Sequence, residues 1–332
     1  MRGDEVTLFA GVVEQANLAP SVRNTQPTRW SLDEDSILTL LLDRDRLLSI
    51  ADADGQGARL SCGAALEGTR ITLAEIGLTF GTIDYLTGDQ DQYEKVLRVQ
   101  IAPAASSEAP PSVVRERCTW RGRFLVAKQS TKYALRDYCA ENDDVTLITE
   151  GFDLEMLAAL NDDTCLSTTR DKAFRREVFE WMRLSDKHPG WGRDGMTTDA
   201  MCLTGKQVLA TKLAFGSKAF GFLSSTSVLT KLVSERDKTL SSTGVVLFHR
   251  PDGEDPVESG MAMYRFWLDL TEMGLAACPM AALTNSADAA RSVTSRFNLS
   301  DDQRLIMAFR VGVMPDAQRP RRARLKPDML II

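Results

Sequence analysis

The sequence predicts an α+β protein, a mainly antiparallel sheet flanked by helices, and predicts that this module is written twice within one chain. The first observation is an internal repeat. Gly63-Ala-Ala-Leu-Glu-Gly-Thr-Arg-Ile-Thr-Leu-Ala-Glu-Ile-Gly77-Leu78 aligns without a gap on Gly260-Met-Ala-Met-Tyr-Arg-Phe-Trp-Leu-Asp-Leu-Thr-Glu-Met-Gly274-Leu275. The second is its periodicity. Leu66, Thr69, Leu73 and Ile76 match Met263, Phe266, Leu270 and Met273, the stripe of a helix packed on one face, and Gly77 and Gly274 stand where a left-handed C-terminal cap is wanted. The third is that each helix leads downstream to a β-rich run, Val96-Leu-Arg-Val-Gln-Ile101 and Leu305-Ile-Met-Ala-Phe-Arg-Val311.

The remaining elements follow in order. A helix rising from Thr7 ends before Pro20, because proline cannot continue it. Ile37-Leu-Thr-Leu-Leu-Leu42 and Gly244-Val-Val-Leu-Phe-His249 read as two further strands. Between the modules, Pro103-Ala-Ala-Ser-Ser-Glu-Ala-Pro-Pro-Ser112 has the small, polar, proline-rich composition of a connector. The expected division is thus residues 1–104, a linker at 105–112, and residues 113–332. The second half is longer, with the surplus at about 184–240. That surplus reads either as a lid or as a helical excursion that patches the core.

Composition narrows the chemistry. The 332 residues carry 46 acidic against 40 basic side chains, a balance that calls for neither nucleic acid nor an anionic membrane. The opening Met1-Arg-Gly-Asp-Glu-Val lacks the apolar core of a signal peptide, and no apolar run is long enough to span a bilayer, so the expectation is a cytoplasmic protein. Six cysteines (62, 118, 139, 165, 202 and 278) show no C-x-x-C spacing, which suits reduced thiols better than a disulfide framework or a zinc site. With only His188 and His249, catalytic triads and histidine metal centres have little to work with. No side chain stands out as an acid, base, nucleophile or metal ligand, and chemistry is expected to belong to a cofactor.

Three segments look chemical. The first, Ala19-Pro20-Ser21-Val-Arg-Asn24-Thr25-Gln26-Pro27, offers a hydroxyl and two side-chain amides on a backbone stiffened by proline. Such a loop either reads the imide edge of a polar heterocycle, since Asn24 and Gln26 each present donor and acceptor together, or is a capped turn. In the second, Arg117-Cys118-Thr119-Trp120-Arg121, alternation in an extended backbone sends Arg117, Thr119 and Arg121 to one side, two forked cations and a hydroxyl suited to a phosphate monoester. The third is the tail, Arg319-Pro-Arg-Arg322-Ala-Arg324, which either closes over the same anion or keeps an exposed end soluble.

The order Ala-Pro-Ser-x-x-Asn-Thr-Gln-Pro, then Ser61-Cys-Gly-Ala-Ala-Leu66, then Arg-x-Thr-x-Arg, then the Gly260 helix running into Gly274-Leu-Ala-Ala-Cys-Pro279-Met280, then Arg310-Val-Gly312 and an arginine-rich tail, resembles the nitroreductase superfamily. It resembles more narrowly the Acg-type branch, in which two nitroreductase-like halves are fused. The match covers nearly the whole chain. What the resemblance implies is a pseudo-dimer with one composite FMN site. Pro20, Ser21, Asn24 and Gln26 would come from the first half. Arg117, Cys118, Thr119, Arg121, the backbone of Pro279, Met280 and Ala281 near flavin N5, and Arg322 or Arg324 would come from the second. A monomer would suffice for that site, with further oligomerisation open. The implied activity is ping-pong hydride transfer from NAD(P)H through FMN to a nitroaromatic, quinone or other conjugated small-molecule acceptor. Two alternatives stay open: an FMN-sequestering protein with little NAD(P)H-driven activity, if residues 208–233 close over the ring, and an FMN-dependent dehydrogenase or oxidase of a small metabolite. The chain departs from the family pattern at Thr28, where an aromatic is usual, at Gln56, where an arginine is usual, and at Cys118, where many relatives carry a further cation.

Overall fold

The computed structural model describes residues 3–86, 91–104, 112–216, 220, 227–316 and 319–332. The expected linker at 105–112 therefore lies outside the described residues apart from Ser112, as does part of the expected insertion. The first half comprises α1 (Gly3–Ala16), β1 (Thr28–Leu32), β2 (Ile37–Asp43), α2 (Gln56–Glu75), β3 (Leu78–Tyr85) and β4 (Tyr93–Pro103). The second begins with α3 (Gln129–Ala140) and β5 (Val145–Ile148). It continues through α4 (Gly151–Arg170), α5 (Lys172–Glu180), β6 (Met182–Arg183), β7 (Met196–Thr197), α6 (Gly205–Gly216), α7 (Ser227–Val233) and α8 (Arg236–Leu240). It closes with β8 (Gly244–Pro251), α9 (Pro256–Glu272), β9 (Ala276–Pro279), α10 (Ala282–Asn285), α11 (Ala287–Arg296) and β10 (Gln303–Gly312).

The fold is α+β, with two four-stranded sheets ordered β1-β2-β4-β3 and β5-β8-β10-β9. Every neighbouring pair in both is antiparallel. Written as strand-strand-helix-strand-strand, the two halves have the same order, which is what duplication within the chain produces. The four predicted strands are all present, as β2, β4, β8 and β10. The asymmetry lies between the first two strands of each sheet. Residues 33–36 join β1 to β2, whereas residues 149–243 separate β5 from β8.

The repeated helices meet each other. A Cβ built on Gly63 would lie 2.0 Å from the Val257 carbonyl oxygen, and one on Gly260 would lie 2.3 Å from that of Leu60. The two glycines that align in the sequence therefore face one another across a backbone-on-backbone crossing that no larger residue permits. Around it the cores are shared. Val257, Met261, Tyr264 and Leu268 of α9 join the first core, and Leu60 of α2 joins the second. Leu66, Thr69 and Leu73 are buried as the stripe requires, and Thr69 accepts the Trp30 indole N–H at 3.0 Å. Ile76 is the exception at 42% exposed, because it follows the last helical turn, where the chain leaves the core. Gly77 and Gly274 take φ of +74° and +73°, the left-handed caps expected of them.

Cross-links reinforce the crossing. Glu67, fully buried on α2, accepts paired hydrogen bonds from Arg70 on its own helix and from Arg265 on α9 at 2.7–2.9 Å. The C-terminal tail returns to the first half, where Trp30 N donates to Leu330 O and Ile332 N to Trp30 O, while Leu325 and Leu330 enter the first core. Val113 and Val114 do the same from the start of the second half. Gly260→Ala should therefore destabilise the chain by on the order of 3 kcal/mol, read as the urea midpoint, because the added methyl has only backbone to displace. Gly11→Ala, on a helix with open space around it, should be neutral or slightly stabilising in the same assay.

Candidate functional site

The loop after α1 is strained and held. Arg23, Asn24 and Gln26 take φ of +44°, +56° and +52°, each costing about 1 kcal/mol for a residue with a Cβ. Side chains fix this conformation. Ser21 Oγ accepts the Gln26 N–H at 3.0 Å, and Ser61 Oγ, on α2, accepts the Val22 N–H at 3.0 Å. Asn24 donates to the carbonyls of Gly195 and Ala323 at 3.0 and 3.1 Å and accepts from Arg324 at 2.8 Å. Gln26 accepts from Asn17 Nδ2 at 2.9 Å and from the Leu325 N–H at 2.8 Å, and donates to Arg193 O at 2.9 Å.

The loop thus touches three parts of the chain that sequence spacing keeps far apart: the tail, the segment 192–200, and α2. Segment 192–200 is itself anchored by Asp194, which pairs with Arg46 and with Arg183, both at 2.6 Å. Burial alone would raise the Asp194 pKa, but the two guanidinium groups hold it below the usual carboxylate range. The segment 117–121 is fixed from the other side, since Thr119 bridges Ala277 and Trp120 N donates to Ala277 O at 3.1 Å, which fastens it to β9.

These pieces enclose a narrow cleft of about 90 Å³ lined by Pro20, Ser21, Asn24, Arg117, Cys118, Thr119, Arg121, Gly195, Met196, Thr197, Ala200 and tail residues 320–324. Five arginines line it and no carboxylate among the described residues does, and four of the five, Arg117, Arg121, Arg322 and Arg324, are held by side-chain hydrogen bonds. Their partners are carbonyl oxygens. Arg117 donates to Leu18 O at 2.8 Å, Arg121 to Ala200 O at 3.2 Å, Arg324 to Leu18 O and Ala19 O at 3.1 and 3.3 Å, and Arg322 to Arg115 O at 2.6 Å and to Arg117 O. Arg117 also lies over the Trp267 ring, 4.9 Å from its centroid. The buried Nε atoms of Arg117 and Arg324 have no partner. Burial and the neighbouring Arg117 push Arg322 down to about 10, and burial with both neighbours pushes Arg324 down to about 9. Burial lowers Arg117 as well, and raises the Cys118 thiol, which stays neutral. The cleft is a concentration of positive charge that lacks its counter-charge.

The narrow cleft opens into a wide one of about 880 Å³, sharing Pro20, Ser21, Thr119, Arg121 and Met196 with it. The wide cleft is walled by Leu60, Met263, Trp267 and Phe309, edged by the first turns of α2 including Gln56, and bordered on the far side by Pro279 and Ala281. The wide cleft is also lined by Asp52, Asp54, Asp252, Asp301, Arg291 and Arg304, and its apolar wall, continuous with a cationic pocket, suits a flat ring system carrying an anionic chain. Neither histidine lines either cleft. His249 contacts Thr146 and Gln303, and His188 accepts the Gly190 N–H. Among the described residues no cluster is arranged to hold a metal ion, and all six cysteines are free.

Most of the residues singled out in the sequence meet here, drawn from both halves. Two do not. The Gln26 carboxamide is spent on Asn17, Leu325 and Arg193, so it holds the loop and tail together and does not line a cleft. Met280 is buried in the core beneath β10, its N–H donated to Ala308 O, and the borders are formed by Pro279 and Ala281 on either side of it. Asn24 lines the narrow cleft, but both ends of its amide are engaged by protein. The contribution of residues 195–200 was not legible, because nothing in Gly195-Met-Thr-Thr-Asp-Ala200 signals that it will pack against a loop about 170 residues away.

Residues 242–313 match the family model described as Nitroreductase family. The matched stretch runs from just before β8 to the end of β10 in the second half. Over 329 residues, covering 94% of this chain and 91% of the relative, it is 23% identical to "Putative NAD(P)H nitroreductase acg" of Mycobacterium tuberculosis. A second M. tuberculosis protein, "Putative NAD(P)H nitroreductase Rv3131", is 42% identical over 66 residues, 20% of this chain and 19% of that one. Among solved structures, the FMN and NADPH-dependent nitroreductase NfnB from sphigopyxis sp. strain HMH aligns at 15% identity and a TM-score of 0.37, covering 66% of this chain and 96% of its own. NfnB from Mycobacterium smegmatis, in complex with NADPH, aligns at 17% and 0.34, covering 64% and 92%. These two likenesses are too loose to carry weight.

Burial and the neighbouring Arg117 and Arg322 make the charge on Arg324 costly to the folded chain, a cost that a bound anion relieves. Inorganic phosphate should accordingly raise the Tm of the ligand-free chain more than chloride does at equal ionic strength. Thermal melts should show that increment largely lost in Arg324→Gln.

Proposed function

We propose that the chain is an FMN-dependent NAD(P)H oxidoreductase that reduces a conjugated acceptor such as a nitroaromatic or quinone. The observation that supports this reading best is the arginine cluster without a counter-charge, opening directly into an apolar slot built by both halves. The residues fit FMN. Two buried guanidinium Nε atoms lack partners, and an anionic phosphate would supply them. Arg117, Arg121, Arg322 and Arg324, with Ser21 and Thr119, would hold the phosphate. Pro20, Met196 and the backbone around Pro279 and Ala281 would border the ring.

Bound FMN would supply the hydride and electron chemistry. The work left to this chain is positional. Leu60, Met263, Trp267 and Phe309 exclude water from one wall of the slot, and the rigid loop at residues 20–26 keeps the opposite edge in place. The described residues of one chain would form one such site, so a single chain would suffice. No acid or base from the protein is required, in keeping with histidines that lie elsewhere.

Anaerobic mixing of the FMN-loaded protein with NADPH or NADH should bleach the absorbance near ~450 nm, and a chain that stays yellow until dithionite is added would instead be an FMN-sequestering protein. Arg117→Ala and Arg121→Ala should each weaken FMN retention by about 1.5–3 kcal/mol, measured as the dissociation constant by fluorescence, and unchanged affinity in both would place the phosphate elsewhere.

A further inference from the structure

Arg23 is a cation of the wide cleft that the proposed FMN grip does not use, and unlike Arg291, which pairs with Asp288, and Arg304, which donates to Glu254 O, it has no polar partner among the described residues. It lines the wide cleft but not the narrow one, on the same side as Ser21 and Arg121. Its backbone is fixed in the left-handed region by the bonds from Ser61 and within the loop, so the direction in which the side chain leaves the chain is set. The guanidinium lies over the ring of Phe174, from α5 of the long insertion, 5.6 Å from its centroid. Among the described residues it forms no ion pair. The carboxylates nearby are committed. Glu177 accepts from Ser49 Oγ and the N–H groups of Ile50 and Ala51 at 2.7–3.1 Å, and Asp52 accepts from the N–H groups of Gly57 and Ala58 at 2.7 and 2.8 Å. Burial and the proximity of Arg121 lower the Arg23 pKa to about 10, so at neutral pH it keeps its charge at a cost that an incoming anion relieves.

We propose that Arg23 recognises an oxyanion on the molecule that enters the wide cleft over the ring. It rests on the reading of the site as an FMN oxidoreductase. Two sources carry that chemistry, a carboxylate on the acceptor or the pyrophosphate of the nicotinamide donor. The planar fork of Arg23, stacked on Phe174, is preorganised for either. A neutral aromatic would gain only the apolar wall, so the site prefers charged acceptors or the intact dinucleotide.

The test compares the FMN-loaded wild type with Arg23→Gln and Arg23→Lys. Flavin content is measured first, and should be the same in all three. Loss of FMN in Arg23→Gln alone would make Arg23 part of the cofactor grip and overturn the proposal, whereas absence of FMN from every form would overturn the underlying reading and the proposal with it. Benzoate and benzamide are then titrated against the oxidised flavin spectrum, a readout that needs no reduction. NADPH is compared with reduced nicotinamide riboside by anaerobic reduction rate. If the acceptor is the source, wild type binds benzoate about tenfold more tightly than benzamide, Arg23→Gln binds them alike, and Arg23→Lys recovers part of the preference. If the donor is the source, Arg23→Gln loses about tenfold with NADPH and nothing with the riboside. Wild-type behaviour of Arg23→Gln in both comparisons would overturn the proposal.

Discussion

At Gly63 and Gly260 the backbones of α2 and α9 touch, and the position of every piece of the site descends from that contact. A helix pair carrying ordinary side chains packs with axes about 8–10 Å apart, whereas here the Cβ positions of both glycines are occupied by the other helix's carbonyl groups and Cα atoms. The close approach lets each helix contribute to the other half's core. It also sets the first turns of α2, with Ser61 beneath the loop at residues 20–26, on the same cleft as Met263 and Trp267 of α9. The tail and the 117–121 segment then need only reach across a seam already closed.

Charge is the second constraint. Folding alone collects five arginines around a small cleft and bonds four of them to carbonyl oxygens, leaving their charge unneutralised. Buried guanidinium groups elsewhere in the molecule are treated differently. Arg29 pairs with Asp43 at 2.5 Å and the fully buried Arg310 with Glu235 at 2.6 Å. The contrast identifies the cleft as a place where the counter-charge comes from outside the chain. Its energetic consequence is reciprocal, since whatever anion settles there stabilises the fold, and variants that weaken the cluster lower affinity more than they harm the unliganded chain.

Much of this was legible in the sequence for physical reasons. The duplicated helix was visible because close packing forces glycine at the crossing and apolar residues at helical spacing, and the caps were visible because φ near +74° favours glycine. Arg117, Thr119 and Arg121 line one cleft, but Cys118 lines it with them, so simple alternation does not describe the segment. What escaped was whatever depends on tertiary partners. The side chains of Asn24 and Gln26 have the same hydrogen-bonding capacity whether they face a ligand or the tail, and only the fold shows that Arg324, Leu325 and Gly195 engage them first. Residues 195–200 carry no pattern of their own, and their place on the cleft is decided by Asp194 and its two arginines.

On the proposed reading, two fused halves assemble one composite site for an FMN phosphate and ring. The most direct measurement is the ratio of FMN to polypeptide in the purified, FMN-saturated protein, by native mass spectrometry, alongside Arg117→Ala. The account predicts one FMN per chain, depleted in the variant. Two FMN per chain, or none in a folded wild-type protein, would contradict it.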